Sequence, residues 1–207
     1  MRQYSLYIFD LDGTLVDGSR AELQCYAAAL GRLGYVYHEE ELPQLPRQSF
    51  RATYQQYDPA GTLHPFSEFT RVLLEEADRH TNSAAVPFPE TRKTVAELVD
   101  DGFSLCVATR MTSLRAKGLL KEYDLLRYFD HVIGSDCVQH SKPDPECIMK
   151  CLSYYAINPD QTVMVGDTPN DMLAARRAGV DGVLVDRSGT DGHVPCTARI
   201  ASLTELL

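Results

Sequence analysis

From residue 87 onward the chain alternates helical and extended segments at the spacing of βαβ units, and this regularity constrains its fold more than any other feature. Pro89 suits a first helical position, and Val95, Leu98 and Val99 then form a stripe that stops at Gly102. The short apolar run Ser104–Ala108 predicts a buried parallel strand. A helix over Ser113–Glu122, a strand at His131–Ile133, a helix after Pro145, a strand over 162–165, a helix ending at Ala178 and a strand over 182–185 complete the series. Residues 4–9 supply the first strand. The expected fold class is therefore α/β, a doubly wound parallel sheet.

Between the first strand and residue 87 the pattern changes to helical periodicity without a convincing strand. Leu23, Ala27, Leu30 and Leu33 line one face before Gly34, a natural helix stop, and Phe66, Phe69, Leu73 and Leu74 predict a second amphipathic helix. The expectation is a small inserted α-helical cap over 17–85, with 1–16 and 86–207 forming the α/β core. Two neighbouring chain crossings, near residues 16–19 and 82–87, make a hinge suited to a lid that closes to exclude water.

Composition narrows the function classes. The 207 residues are 44% hydrophobic, enough for one good core and a small second one, and carry a net charge of −9. That acidic balance speaks against a nucleic-acid surface, which clusters Lys and Arg. The apolar runs are strand-length, far short of the roughly 20 residues of a membrane helix, and strand-like sequence from Tyr4 leaves no room for a signal peptide. A cytoplasmic protein, monomeric or weakly dimeric, is expected. The six cysteines include no CxxC pair and read as reduced thiols. Cys147, Cys151 and His140 allow a zinc site to be drawn, but a structural site needs four ligands.

Four segments fall at the C-terminal ends of predicted strands, where open α/β sheets bind ligands. In Ile8-Phe9-Asp10-Leu11-Asp12-Gly13-Thr14-Leu15, alternation puts Asp10 and Asp12 on one side of the extended chain. Two carboxylates so placed repel unless a cation intervenes, and hard divalent ions such as Mg²⁺ prefer oxygen ligands. Gly13 permits the following turn. In Val107-Ala108-Thr109-Arg110 a hydroxyl ends a strand just before an expected helix start, whose amides suit phosphate. In Ser141-Lys142-Pro143-Asp144-Pro145-Glu146, Asp144 and Pro145 read as N-cap and first helical residue, which leaves Lys142 unexplained. In Val165-Gly166-Asp167-Thr168-Pro169-Asn170-Asp171, Thr168 and Asp171 have capping-box spacing, so Asp171 is partly structural; Asp167 lies outside the helix.

These four motifs, in this order, resemble the haloacid dehalogenase superfamily in its phosphatase branch, with a helical cap inserted after the first strand. The resemblance spans the whole chain. It implies that Asp10 is a nucleophile giving an aspartyl-phosphate, and that Asp12 is general acid and then base. It implies Mg²⁺ held by the Asp10 carboxylate, the Asp12 main-chain carbonyl and Asp167, with Asp171 assisting. Thr109, Lys142 and the amides following Asp10, beginning with Leu11, would neutralise the transferring phosphoryl group. Arg110 stands where relatives often carry Asn, and it either clamps an anion or pairs with a nearby acid.

Within that resemblance, Asp12 speaks against metal-free dehalogenation, and the five lysines, at 93, 117, 121, 142 and 150, leave the cap none for a Schiff base. The cap carries six arginines, at 20, 32, 47, 51, 71 and 79, against ten acids. Arg47, in the segment 45–51, is the candidate to face a substrate; the alternative is that these arginines balance surface acids. The expected partner is a small phosphorylated metabolite such as phosphoglycolate. Two alternatives remain, a sugar-phosphate mutase of the β-phosphoglucomutase type and a non-catalytic phospho-acceptor domain.

Overall fold

The computed structural model describes residues 4–189 and 192–207, leaving the side chains of residues 47, 78 and 81–84 outside that description. The elements run β1 (Leu6–Phe9), β2 (Val16–Asp17), α1 (Ser19–Arg32), α2 (Phe50–Tyr57), α3 (Phe66–Ala84), β3 (Val86–Pro87), α4 (Thr91–Asp100) and β4 (Ser104–Ala108). They continue as α5 (Ser113–Glu122), β5 (His131–Ile133), α6 (Glu146–Tyr155), β6 (Thr162–Gly166), α7 (Pro169–Ala178), β7 (Asp181–Val185) and β8 (Ala198–Ile200). They form two compact units, Met1–Asp17 with Pro87–Leu207, and Gly18–Val86.

The first unit is a six-stranded sheet in the order β5-β4-β1-β6-β7-β8, with every pairing parallel. All four residues of β1 are buried, as a strand covered on both faces requires. Its register sets Phe9 beside Val107 on one side and Val165 on the other. The chain order reverses around β1, so the crevice at its C-terminal end is the switch point of the sheet. A core of Leu6, Ile8, Cys106, Ile148, Cys151 and Met164 fills the space beneath α6 and α7.

Several expectations shift. β8, an edge strand of three residues, escapes the sequence pattern. α4 begins at Thr91 rather than Pro89, with Glu90 at its N-cap, and Val99 is 38% exposed, the buried face running through Thr91, Thr94, Val95 and Leu98. α6 begins one residue late with Pro145 at its N-cap, although the Asp144 carboxylate still accepts from the Glu146 amide at 3.0 Å. Cys147 and Cys151 are buried in this core while the His140 side chain is exposed, so the zinc site drawn from sequence does not assemble.

The second unit has its own core, in which α1 and α3 enclose Leu30, Tyr35, Leu45, Tyr54, Phe69 and Leu73. On α1 the buried face runs through Ala21, Cys25, Tyr26, Ala29 and Leu30; Leu23 and Ala27 only flank it. On α3, Leu74 is 54% exposed and Val72 takes the expected place. A 3-10 segment, Glu39–Arg47, and α2 follow α1; Pro43 and Pro46 interrupt the periodicity that would have announced them. The Asp58 carboxylate ties the next turn by accepting from the amides of Thr62, Leu63 and His64.

Candidate active site

β1 ends at Phe9, and the Asp10 amide still donates to the Val165 carbonyl at 2.8 Å. This last ladder bond holds the buried Asp10 between the ends of β4 and β6. Beyond it the chain leaves the strand: Gly13 turns at φ +82°, and Asp12 meets Val16 through an isolated bridge. A side chain at Gly13 would place its Cβ 2.1 Å from Asp167 Oδ2, so the glycine answers both the left-handed turn and the close approach of that carboxylate.

Asp167 follows β6 directly. Its Oδ1 accepts from the Thr14 hydroxyl at 3.2 Å. One helical turn later Asp171 divides its carboxylate between two tasks. Oδ2 accepts from the Thr168 amide at 3.0 Å and from the Thr168 hydroxyl at 2.5 Å, completing the capping box of α7. Oδ1 lies 2.6 Å from the Lys142 ammonium. Gly166 is required beside it, since a Cβ there would sit 2.5 Å from the Asp171 Cβ.

Lys142 is 6% exposed, and its Nζ donates to Asp10 Oδ1 at 2.7 Å and to the Ala108 carbonyl at 2.8 Å. It therefore joins the ends of β1, β4 and α7. Burial works against the ammonium, but the Asp10 and Asp171 carboxylates outweigh it and hold its pKa above the ordinary lysine range. Burial also pushes Asp10 upward, Lys142 pulls it back, and Asp171 adds to the rise. Asp167 lacks such a counter-charge. Burial first, then Asp10 and Asp171, push it up to about 8.

One oxygen from each of Asp10, Asp167 and Asp171 lies within 4.8 Å of the others. Two of the three carboxylates, Asp10 and Asp171, share the Lys142 ammonium, and Asp167 adds a third beside them. Asp171 Oδ1, although ion-paired, is buried without a donor in hydrogen-bonding geometry. An all-oxygen set of three carboxylates with one ammonium between two of them carries excess negative charge and fits a hard divalent cation such as Mg²⁺. The Asp12 carboxylate is not among the three, because the chain has begun to turn at that residue.

Thr109 is buried at the end of β4, but α5 starts only at Ser113. Its hydroxyl instead accepts from the Met111 amide at 3.2 Å, so the expected helix-start amides are not adjacent to it. Leu11 is fully buried. Arg110 is exposed, and among the described residues no acid pairs with it. In the second unit Arg32, Arg71 and Arg79 pair with Glu75 or Glu76, and Arg51 lies 4.2 Å over the Phe66 ring. The Arg47 side chain lies outside the described residues.

A family model described as "Haloacid dehalogenase-like hydrolase" matches residues 7–185. The chain belongs to this family. A phosphoglycolate phosphatase of Salmonella typhimurium is 32% identical, covering 84% of this chain and 78% of its own. One from Aquifex aeolicus is 29% identical over 95% and 90%. The haloacid dehalogenase-like protein SP0104 of Streptococcus pneumoniae superposes with a TM-score of 0.82 at 20% identity, over 98% of this chain and 96% of its own.

In this hydrolase a cavity of about 230 Å³ opens beside Asp167, lined by Gly13, Phe88, Val185, Asp186, Arg187 and Ser188. Sequence reasoning missed Arg187, which reads as an ordinary surface charge. Its one signal was its place at the C-terminal end of β7, on the same sheet edge as the motifs.

Proposed function

We propose that this hydrolase cleaves small phosphate monoesters through an aspartyl-phosphate on Asp10, with Mg²⁺ as cofactor, acting in the cytoplasm on a phosphorylated metabolite. The observation that carries the reading is the buried cluster in which Lys142 reaches both Asp10 and Asp171 while Asp167 remains without a cation. The Asp10 carboxylate attacks phosphorus and the ester P–O bond breaks; Asp12 gives its proton to the departing alkoxide. Asp12 then takes a proton from water, which attacks the same phosphorus, releasing phosphate and restoring Asp10. Lys142, the Thr109 hydroxyl and the Leu11 amide offset charge on the phosphoryl oxygens. When bound, the ion, held by Asp10, Asp167, the Asp12 main-chain carbonyl and Asp171, supplies further positive charge to those oxygens.

Phosphoglycolate is the leading substrate, supported by the names of the relatives and by Arg110, which is free to meet a second anionic group. The test is phosphate release from phosphoglycolate, sugar phosphates, nucleotides and pyrophosphate, with and without Mg²⁺. Release that needs the metal and vanishes in a folded Asp10→Asn variant is expected. Conversion of glucose 1-phosphate to glucose 6-phosphate would instead favour the mutase, and stable phosphorylation without turnover an acceptor domain.

A further inference from the structure

Arg187 has more partners than a surface arginine after a strand needs. Its Nη1 lies 2.6 Å from Glu90 Oε1, its Nη2 donates to the Thr14 carbonyl at 3.1 Å, and its guanidinium lies 3.6 Å over the Phe88 ring. Glu90 and Phe88 belong to the segment in which the chain re-enters the first unit after β3. That segment is bound to the turn after Asp12 by two further contacts. The Phe88 amide and the buried Thr91 hydroxyl donate to the Leu15 carbonyl at 3.2 and 2.7 Å.

Thr14 is the link to the chemistry. Its carbonyl is held by Arg187 and its hydroxyl by Asp167 Oδ1, while the preceding Gly13 packs directly against Asp167 Oδ2. A shift of the Gly13–Leu15 turn therefore moves the carboxylate that has no cation of its own. Glu90 offsets the charge of Arg187. The guanidinium's two-pronged geometry and flat stacking face are properties that Lys does not share.

We infer that Arg187 is a positioning residue: by clamping Thr14 to Phe88 and Glu90 it sets the orientation in which Asp167 meets the metal. The inference rests on the metal-dependent reading above. The experiment compares wild type with Arg187→Ala, Arg187→Lys and Glu90→Gln in two ways. One is the Mg²⁺ dependence of phosphate release. The other is the rise in melting temperature that Mg²⁺ gives without substrate.

For Arg187→Ala we expect the Mg²⁺ half-saturation to rise about tenfold, kcat to fall about tenfold, KM at saturating metal to stay within twofold, and the Mg²⁺-induced thermal shift to shrink. Arg187→Lys should recover less than half of the loss on a logarithmic scale. If Arg187→Ala fails to fold, the Lys and Gln variants carry the same comparison. Unchanged Mg²⁺ half-saturation and thermal shift, alongside a lower melting temperature of the metal-free protein, would show a merely structural arginine and overturn the inference. A wild type that shifts with Mg²⁺ yet releases no phosphate would sink the phosphate-monoester reading alone, and the thermal shifts would still decide the role of Arg187.

Discussion

Replacing Asp167 by Asn should strengthen the metal-free protein while destroying its activity. Asp10, Asp167 and Asp171 bring oxygens within 4.8 Å of one another. At an effective dielectric constant of about 20, a pair of unit charges at that distance repels by ~3.5 kcal/mol. The titration of Asp167 gives a comparable figure. Its pKa, raised from 3.8 to about 8, means that the folded protein holds a proton the unfolded chain releases. Stability therefore falls as pH rises from about 4 to about 8, by up to ~1.4 kcal/mol per pH unit, or ~4 kcal/mol by pH 7. Asp167 is only half-buried, and water screens part of this, so we expect a gain of about 2 kcal/mol for Asp167→Asn at pH 7, or roughly 4–8 °C in melting temperature. The amide removes the charge and keeps an oxygen for the Thr14 hydroxyl.

Urea unfolding in excess chelator, at a series of pH values from about 4 to about 8, measures the difference directly. The advantage of Asn should grow with pH and vanish towards pH 4, near the ordinary carboxylate pKa. Adding Mg²⁺ should reverse the order, because binding stabilises the protein that keeps the ligand. An Asn variant that is no more stable than wild type at pH 8 in chelator, or a difference independent of pH, would refute the account of Asp167 as an uncompensated charge.

Gly13→Ala should reduce activity at least tenfold and raise the Mg²⁺ requirement, since its Cβ would occupy the space of Asp167 Oδ2 at a φ that itself strains an L-residue by roughly 1–2 kcal/mol; a metal titration of phosphate release reads this. Lys142→Met leaves Asp10 and Asp171 without their shared cation, and should lower stability in chelator by about 3–5 kcal/mol and turnover by at least about a hundredfold, read by denaturant unfolding and kcat.

The sheet was legible where local chemistry alone decides it. Ser104–Ala108, Ser113–Glu122 and His131–Ile133 follow from an apolar run, a helical stripe and a β-branched pair whose flanks mark the ends. β8 was not, because three residues at a sheet edge, only Ile200 of them buried, leave no periodic signal. Leu74 and Val99 were placed inside because apolar character says nothing about which of two successive helical residues meets the core. In the site, the convergence of Asp10, Asp167 and Asp171 could be anticipated from strand ends. The departure of the Asp12 carboxylate could not, because alternation holds only while the strand lasts. Arg187 stayed hidden because its partners are separated by most of the chain: Thr14 and Glu90 meet it only after the fold closes.

The central position of β1 has a consequence for synthesis. Its neighbours are β4 and β6, with Leu6 beside Ser104 and Thr162, so the strand that anchors the nucleophile leaves the ribosome long before either partner exists. At ~5–20 residues per second, the first partner arrives about 5–20 s later. Throughout that interval the apolar run Leu6–Phe9 has no partner strand, while Gly18–Val86, whose packing is mainly α1 against α3, is synthesised in full before β4. The insertion thus acts as a spacer on the nascent chain, holding the strand that carries the nucleophile apart from its first partner until β4 has been made.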